Sequence, residues 1–165
     1  MRKRGKALDL FRSYLSSRSQ FVKLSNGVKS YLTKVEFGVP QGSILGPLLF
    51  SLFINKLQHT TGFYVKLFAD NTFLCTQNSD FDLLQQEVNV ELENVFIWLA
   101  SNKLTLNMKK SKFMLVTRKK KFPDLSFKIN NAALESCDYY KYLGVVIDKN
   151  LNWNPHIAHI SKKKF

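Results

Sequence analysis

The chain is short of cysteine, of acid and of uninterrupted hydrophobic sequence, and each shortage removes a class of protein. Its two cysteines, Cys75 and Cys137, have no near partner in sequence and lie in apolar runs. That argues against a disulfide framework or a cysteine metal knuckle and for buried thiols in an intracellular, reducing compartment, nucleus or cytoplasm. The longest apolar stretch, Ile44 to Ile54, is interrupted by Gly46, Pro47 and Ser51 and falls well short of the roughly 20 residues that span a bilayer. No membrane partner is expected. The basic start, Met1-Arg-Lys-Arg-Gly-Lys6, gives way to Ala7-Leu8-Asp9 rather than to an apolar run, which speaks against a secretory signal and leaves a weak nuclear one. His59, His156 and His159 are not paired with acids or cysteines as a zinc site or hydrolase triad requires, so they are read as surface or structural residues.

The acid deficit is the most informative shortage. Against 25 Lys and Arg stand 12 Asp and Glu, giving a net charge of +13 and a pI near 9.8. Such a surplus attracts polyanions over a Debye length of roughly 8–10 Å, with nucleic acid the first candidate. Nine of the basic residues fall in the first 34 positions, opposed by Asp9 alone, and eight lie between Lys103 and Lys121 without any acid. A charge run by itself fits a solvated face as well as a binding surface, but Phe113 and Phe122 are interleaved with the second cluster, as nucleic-acid surfaces often show.

What is present points to one folded α+β unit, since 45% of the residues are hydrophobic and 13% aromatic. Leu8, Phe11 and Leu15 have helical spacing, and Asn26-Gly27 is a strong hairpin signal. Ser43 can cap a helix through Leu57 with Pro47 in its first turn, and its near-continuous hydrophobicity predicts burial on most sides. Ser79-Asp-Phe-Asp82 resembles a capping box before Phe81, Leu84, Val88, Leu92, Val95 and Leu99, which recur at three and four. Strands are expected over 113–117, over 125–129 before a turn at Asn130-Asn131, and over 139–148.

Two segments carry possible chemistry. In Gly38-Val-Pro-Gln-Gly-Ser-Ile-Leu-Gly-Pro-Leu-Leu-Phe50, Pro40 fixes the chain before a turn and Gly42 permits close approach by a backbone or ligand. In Phe68-Ala-Asp-Asn71, Asp70-Asn71 reads either as a turn pair or as part of a metal site. In order along the chain, these strings resemble the Pro-Gln-Gly loop and the aromatic-Ala-Asp-Asp box of reverse transcriptases of non-LTR retrotransposons, in particular the jockey-like elements. Asn102-Lys-Leu-Thr-Leu-Asn107 with Lys110-Ser111, and Tyr140-Lys-Tyr-Leu-Gly-Val-Val-Ile-Asp148 with Leu151, Trp153 and His156, resemble the family's following segments. Ala7 to Arg18 resembles its helix and Tyr-Leu-x-x-Arg stretch.

The resemblance implies a polymerase palm, an antiparallel sheet with helices on one face, using an RNA template, a DNA primer and a deoxynucleoside triphosphate. It implies two Mg²⁺ ions roughly 4 Å apart, held by carboxylates. By position Asp70 is the shared ligand, and Asn71 stands at the supporting Asp. Gln41 and Gly42 face the nucleotide, Phe68 lies near the primer end, and Leu143-Gly144 sits in the turn that grips the primer. Lys110 matches a lysine that supplies the acid for pyrophosphate departure, and Lys119, Lys120 and Lys121 are read as contacts to the nucleic-acid backbone. The segments divide into residues 1–37 before the loop, a palm portion over 38–148, and the start of a helix over 149–165. Departures from the family matter. Its first metal-binding Asp, on an earlier strand, has no counterpart here, Lys56 replaces an acid, and no thumb follows, so the expectation is a truncated palm that is inactive alone. Unpaired strand edges, an exposed apolar face and poor solubility go with it. The composition equally permits a nucleic-acid-binding remnant without chemistry, or the translation product of a decayed element.

Overall fold

The computed structural model describes residues 5–162 and divides them into two compact units. One holds the chain up to Lys56 together with Leu67–Asn71; the other holds Leu57–Lys66 and everything from Thr72. The basic cluster over residues 1–4 lies outside the described residues.

The first unit opens with helix α1 (Lys6–Leu15), where Asp9 in the first turn pairs loosely with Arg12 at 3.9 Å. Ser17, at φ +56°, turns the chain into β1 (Arg18–Gln20), which pairs antiparallel with β2 (Thr33–Val35). The expected hairpin signal holds. Gly27 at the tip takes φ +85°, a left-handed value that glycine adopts at no steric cost, and its N–H donates to the Leu24 carbonyl at 3.0 Å. Near the tip Lys23 and Lys29 face each other across an isolated bridge, a like-charge pair that costs stability unless an anion lies between them. Helix α2 (Leu45–Ile54) forms where expected but not as a core helix. Of its residues Gly46 and Ile54 are buried, while Leu48, Leu52 and Phe53 are exposed. All-round hydrophobicity says that a helix gains from being covered, not that anything covers it.

The second unit is built on helix α3 (Phe81–Ser101), whose Leu84, Val88, Leu92 and Val95 are buried as one stripe at helical spacing. Leu57, at 1% exposure, and Phe63, Phe127, Ile129 and Val146 complete this core, so among the described residues every buried hydrophobic side chain except Ile54 lies in this unit. The N-terminal cap is Asp80 rather than Ser79: its carboxylate accepts from the N–H groups of Asp82 and Leu83 at 2.8 and 3.0 Å. Either residue type can cap, and the chain turns into the helix one residue later than the capping-box reading expects. Replacing the cap, Asp80→Ala, is expected to lower stability by about 1 kcal/mol in urea unfolding, with a much smaller effect from Ser79→Ala.

Strands in this unit come in two-stranded pairs rather than as one antiparallel sheet with helices on one face. β3 (Tyr64–Phe68) pairs with β4 (Asn71–Cys75), whose ends at the turn, from Leu67 to Asn71, group with the first unit. β5 (Lys112–Phe113) runs parallel to β8 (Glu135–Ser136), with Lys112 Nζ 2.7 Å from Glu135. β6 (Lys128–Ile129) and β7 (Ala132–Ala133) flank Asn130 and Asn131, both at positive φ as a tight hairpin turn requires. β9 (Tyr139–Tyr142) and β10 (Val145–Asp148) are antiparallel, and α4 (Asn154–Ser161) follows with Pro155 in its first turn. The strands expected over 113–117 and 125–129 thus shrink to two residues each.

For the second of these the reason lies in α3. Gln85, Asn89 and Glu93 sit four residues apart on the helix, a rise of about 6 Å per step, close to the spacing of alternate residues along an extended chain. Their side chains accept from the N–H groups of Ser126, Lys128 and Asn130, and Asn89 also donates to the Ser126 carbonyl. A polar helix face therefore does for this segment what a neighbouring strand would do. Glu91, two residues from both Asn89 and Glu93 and so on the opposite face of α3, binds the Thr61 hydroxyl and the Gly62 N–H at 2.6 and 2.7 Å. Those two bonds, the hydroxyl first, hold its carboxyl below the usual carboxylate range. The cysteines are not buried as expected: Cys75 is exposed and Cys137 half-buried, both as free thiols. His156 is structural, its Nδ1 accepting from the Val146 N–H at 3.3 Å.

Candidate functional site

The segment Gly38–Gly46 is a built loop rather than a loose connection. Gly38 and Gly42 take φ +81° and +73°, and a Cβ at Gly42 would meet no atom within 4 Å, so it is the backbone angle that calls for glycine there. Ser43 is the hub. Its hydroxyl donates to the Pro40 carbonyl at 2.6 Å and accepts from the Gly46 N–H at 3.1 Å and from the Tyr14 hydroxyl at 2.5 Å, which uses its one donor and both acceptor positions. Ser43 thus caps α2 as expected, although the residue at the helix boundary is Ile44. Gly46 seals the arrangement from the helix side, because a Cβ there would lie 2.8 Å from Ser43 Oγ and 3.1 Å from the Pro40 carbonyl oxygen. Gln41 and Gly42 form the exposed crest.

That crowding gives a test. Alanine normally improves on glycine in a helix, but Gly46→Ala must push the Ser43 hub away and is expected to lose about 1–3 kcal/mol in urea unfolding. A gain in stability would show that the loop does not pack on the first turn of α2.

The second element is the β3–β4 hairpin. Its turn is Ala69-Asp70, not Asp70-Asn71: Ala69 takes φ +50°, and Asn71 is already the first residue of β4. The sequence pointed to the wrong pair because Asp and Asn tolerate left-handed φ better than Ala does. Asp70 is exposed on the turn, and its carboxylate has no hydrogen-bond or ion-pair partner among the described residues. Phe68, at the end of β3, is 60% exposed. The two Mg²⁺ ions expected from sequence need several carboxylates to gather and neutralise them. Asp70 supplies one, Asn71 offers an uncharged amide, and no group of three His, Cys, Asp or Glu residues that could hold a metal occurs among the described residues. This donor set does not fit a two-ion centre.

Gln41, Gly42, Phe68, Asp70 and Asn71 all belong to the first compact unit, whereas Lys110, Lys119–Lys121, Leu143 and Gly144 belong to the second. Lys110 closes a short 3₁₀ turn capped by Asn107, and its carbonyl accepts from the Tyr140 hydroxyl at 3.3 Å. Leu143 and Gly144, at φ +49° and +88°, are the two-residue turn between β9 and β10. Lys119 is already engaged: its ammonium donates to the Ser79 carbonyl at 2.9 Å and lies 4.6 Å from the centre of the Phe81 ring. Lys120 and Lys121 are exposed.

Both elements lie within a stretch that matches a known family. Residues 3–147 match the family profile described as reverse transcriptase (RNA-dependent DNA polymerase). The chain belongs to the reverse transcriptase family. Over 160 residues it is 27% identical to the RNA-directed DNA polymerase from mobile element jockey of Drosophila melanogaster, covering 92% of this chain and 17% of that protein. The jockey polymerase of Drosophila funebris is 28% identical over 164 residues, with 92% and 17% covered. A probable RNA-directed DNA polymerase from transposon BS of Drosophila melanogaster is 26% identical over 163 residues, with 93% and 18% covered. The chain therefore spans about a sixth of the length of these relatives. No solved structure matches it. Tyr14 and Arg18 are the tyrosine and arginine of the Tyr-Leu-x-x-Arg stretch, to which the sequence attached no role, and Gly46 carried no expectation beyond its place in the loop. The signal for Gly46 is its place three residues after Ser43, where a capping hydroxyl meets a helix N–H.

Proposed function

We propose that this chain is the palm portion of an RNA-directed DNA polymerase of a jockey-like non-LTR retrotransposon, and that it binds an RNA template with a DNA primer. The observation that carries this reading is the pairing, within one compact unit, of a rigid Pro-Gln-Gly loop and an exposed hairpin turn bearing Asp70. In this reading Gln41 and Gly42 face the nucleotide, Phe68 lies near the primer end, Asp70 occupies the position of a metal ligand, and Leu143-Gly144 grips the primer. Lys110 sits where a proton donor to the leaving group belongs, and Lys119–Lys121 contact the backbone.

The donor set supports a second statement about this 165-residue chain: by itself it holds nucleic acid without turning over nucleotides. Mg²⁺, where bound in a polymerase, activates the primer hydroxyl and neutralises the triphosphate; here Asp70 and Asn71 do not gather two ions. Two free thiols fit an intracellular, reducing setting, and among the described residues no helix is long and apolar enough to cross a membrane. The reading is tested by fluorescence anisotropy with a labelled DNA primer on an RNA template. Saturable binding in about 50 mM salt is expected, and its absence there would overturn the proposal.

A further inference from the structure

The Pro-Gln-Gly loop is tied down at both ends by residues that precede it by some twenty to thirty positions. At its start, Arg18 Nη2 donates to the Gly38 carbonyl at 2.5 Å, while the same guanidinium, through Nε, donates to the Leu15 carbonyl at 3.3 Å at the end of α1. At its finish, the Tyr14 hydroxyl donates to Ser43 Oγ, which in turn holds the Pro40 carbonyl and the Gly46 N–H. All of these residues lie in one compact unit.

We propose that Tyr14 and Arg18 are positioning residues, which clamp the Pro-Gln-Gly loop from its two ends and leave Gln41 and Gly42 as a fixed, exposed crest. The chemistry suits the task. A guanidinium presents several donors in a rigid fork, so one side chain ties the end of α1 to the start of the loop, where an ammonium would act as a single point charge. A phenol at the end of a stiff ring reaches the Ser43 hydroxyl with few rotatable bonds to freeze. Tyr14 and Arg18 are four residues apart, but Ser17 at φ +56° lies between them, so the two donors leave the end of α1 in different directions and reach different ends of the loop. The clamp makes the loop an extension of α1 and of the β1–β2 hairpin, with Gly42 supplying the left-handed turn and Gly46 the close packing. That the fixed crest meets a nucleotide rests on the function proposed above; the clamp itself does not.

The test is amide hydrogen exchange and carbonyl ¹³C spectroscopy on the full 165-residue chain, without nucleic acid, so that it fails or succeeds independently of primer–template binding. In Tyr14→Phe, which removes only the hydroxyl, the Gly46 amide is expected to exchange about fivefold faster, the worth of one ordinary hydrogen bond, while the amides of Val88 and Leu92 in α3 keep their rates. Ser43→Ala should have a similar effect, and the double variant should exceed the larger single effect by little, since both act through one network. In Arg18→Met the Gly38 carbonyl resonance should move upfield, and Arg18→Lys, which retains one donor, should bring it most of the way back. Unchanged Gly46 exchange in Tyr14→Phe, or acceleration of equal size in α3, would overturn the clamp at Ser43. A Gly38 resonance that does not move in Arg18→Met would overturn it at Gly38.

Discussion

Supplied with an RNA template, a DNA primer, nucleotides and either Mg²⁺ or Mn²⁺, the purified 165-residue chain is expected to incorporate no nucleotide above background. Two divalent cations about 4 Å apart repel by roughly 16 kcal/mol even at an effective dielectric constant of about 20. Carboxylates must offset most of that, and Asp70 brings a single negative charge. Asn71→Asp adds a second beside it and is still expected to give no extension, because four positive charges would then face two negative ones before the nucleotide is counted. The assay is single-nucleotide primer extension with Asp70→Ala as control. Extension by the natural sequence that vanishes in the control would mean that the acids partnering Asp70 are present but misassigned. Asp9, paired loosely with Arg12, and the exposed Glu36 would then be the residues to replace next.

Binding to primer–template, by contrast, is expected to be measurable and steeply dependent on salt. If about three phosphates are neutralised, the logarithmic slope is roughly −2 to −3, and a fourfold rise in salt weakens binding about 20- to 40-fold. Replacing Lys119, Lys120 and Lys121 together by Ala should weaken binding to all sequences alike. It should also flatten the slope by about two rather than three, because Lys119 already spends its ammonium on the Ser79 carbonyl and the Phe81 ring. Anisotropy titrations at several salt concentrations measure both quantities. An unchanged affinity and slope would take this lysine run off the binding surface.

Features set by a few neighbouring residues were legible in the sequence. The buried stripe of α3 follows from Leu84, Val88, Leu92 and Val95, and the turns at Asn26-Gly27, Asn130-Asn131 and Leu143-Gly144 follow from residue type or from the family motif. Errors of a single position arose where two adjacent residues could do the same job, as with Ser79 and Asp80 at the cap. The hairpin turn moved to Ala69-Asp70 although propensity favours the next pair, which shows strand pairing overriding local preference.

Less was legible where an outcome depends on distant partners. Gln85, Asn89 and Glu93 carried no expectation, yet they occupy the edge of the 126–130 segment and leave it two residues of true strand. The hydrophobicity of α2 suggested burial that its own unit does not provide, and Ile44, Leu48 and Leu52 stay exposed. At the candidate site the motif residues Gln41, Gly42 and Asp70 could be named from sequence. The bond that ties Tyr14 to Ser43 could not, because the two are 29 positions apart and nothing local pairs them.

The central proposal, that Asp70 stands at a metal-ligand position of a polymerase site which Asp70 and Asn71 alone do not complete, is tested most directly by a chimera. The resemblance implies a further metal-binding Asp on an earlier strand, so the stretch of the jockey polymerase ahead of the matched region is joined to this chain, and extension of a DNA primer on an RNA template is the measurement. Asp70 is exposed and its carboxylate has no partner among the described residues, so Asp70→Ala should leave thermal unfolding unchanged. The account predicts template-dependent extension by the chimera and a loss of about 10³-fold or more in its Asp70→Ala variant. A chimera that never extends the primer, or one whose extension survives Asp70→Ala, would contradict it.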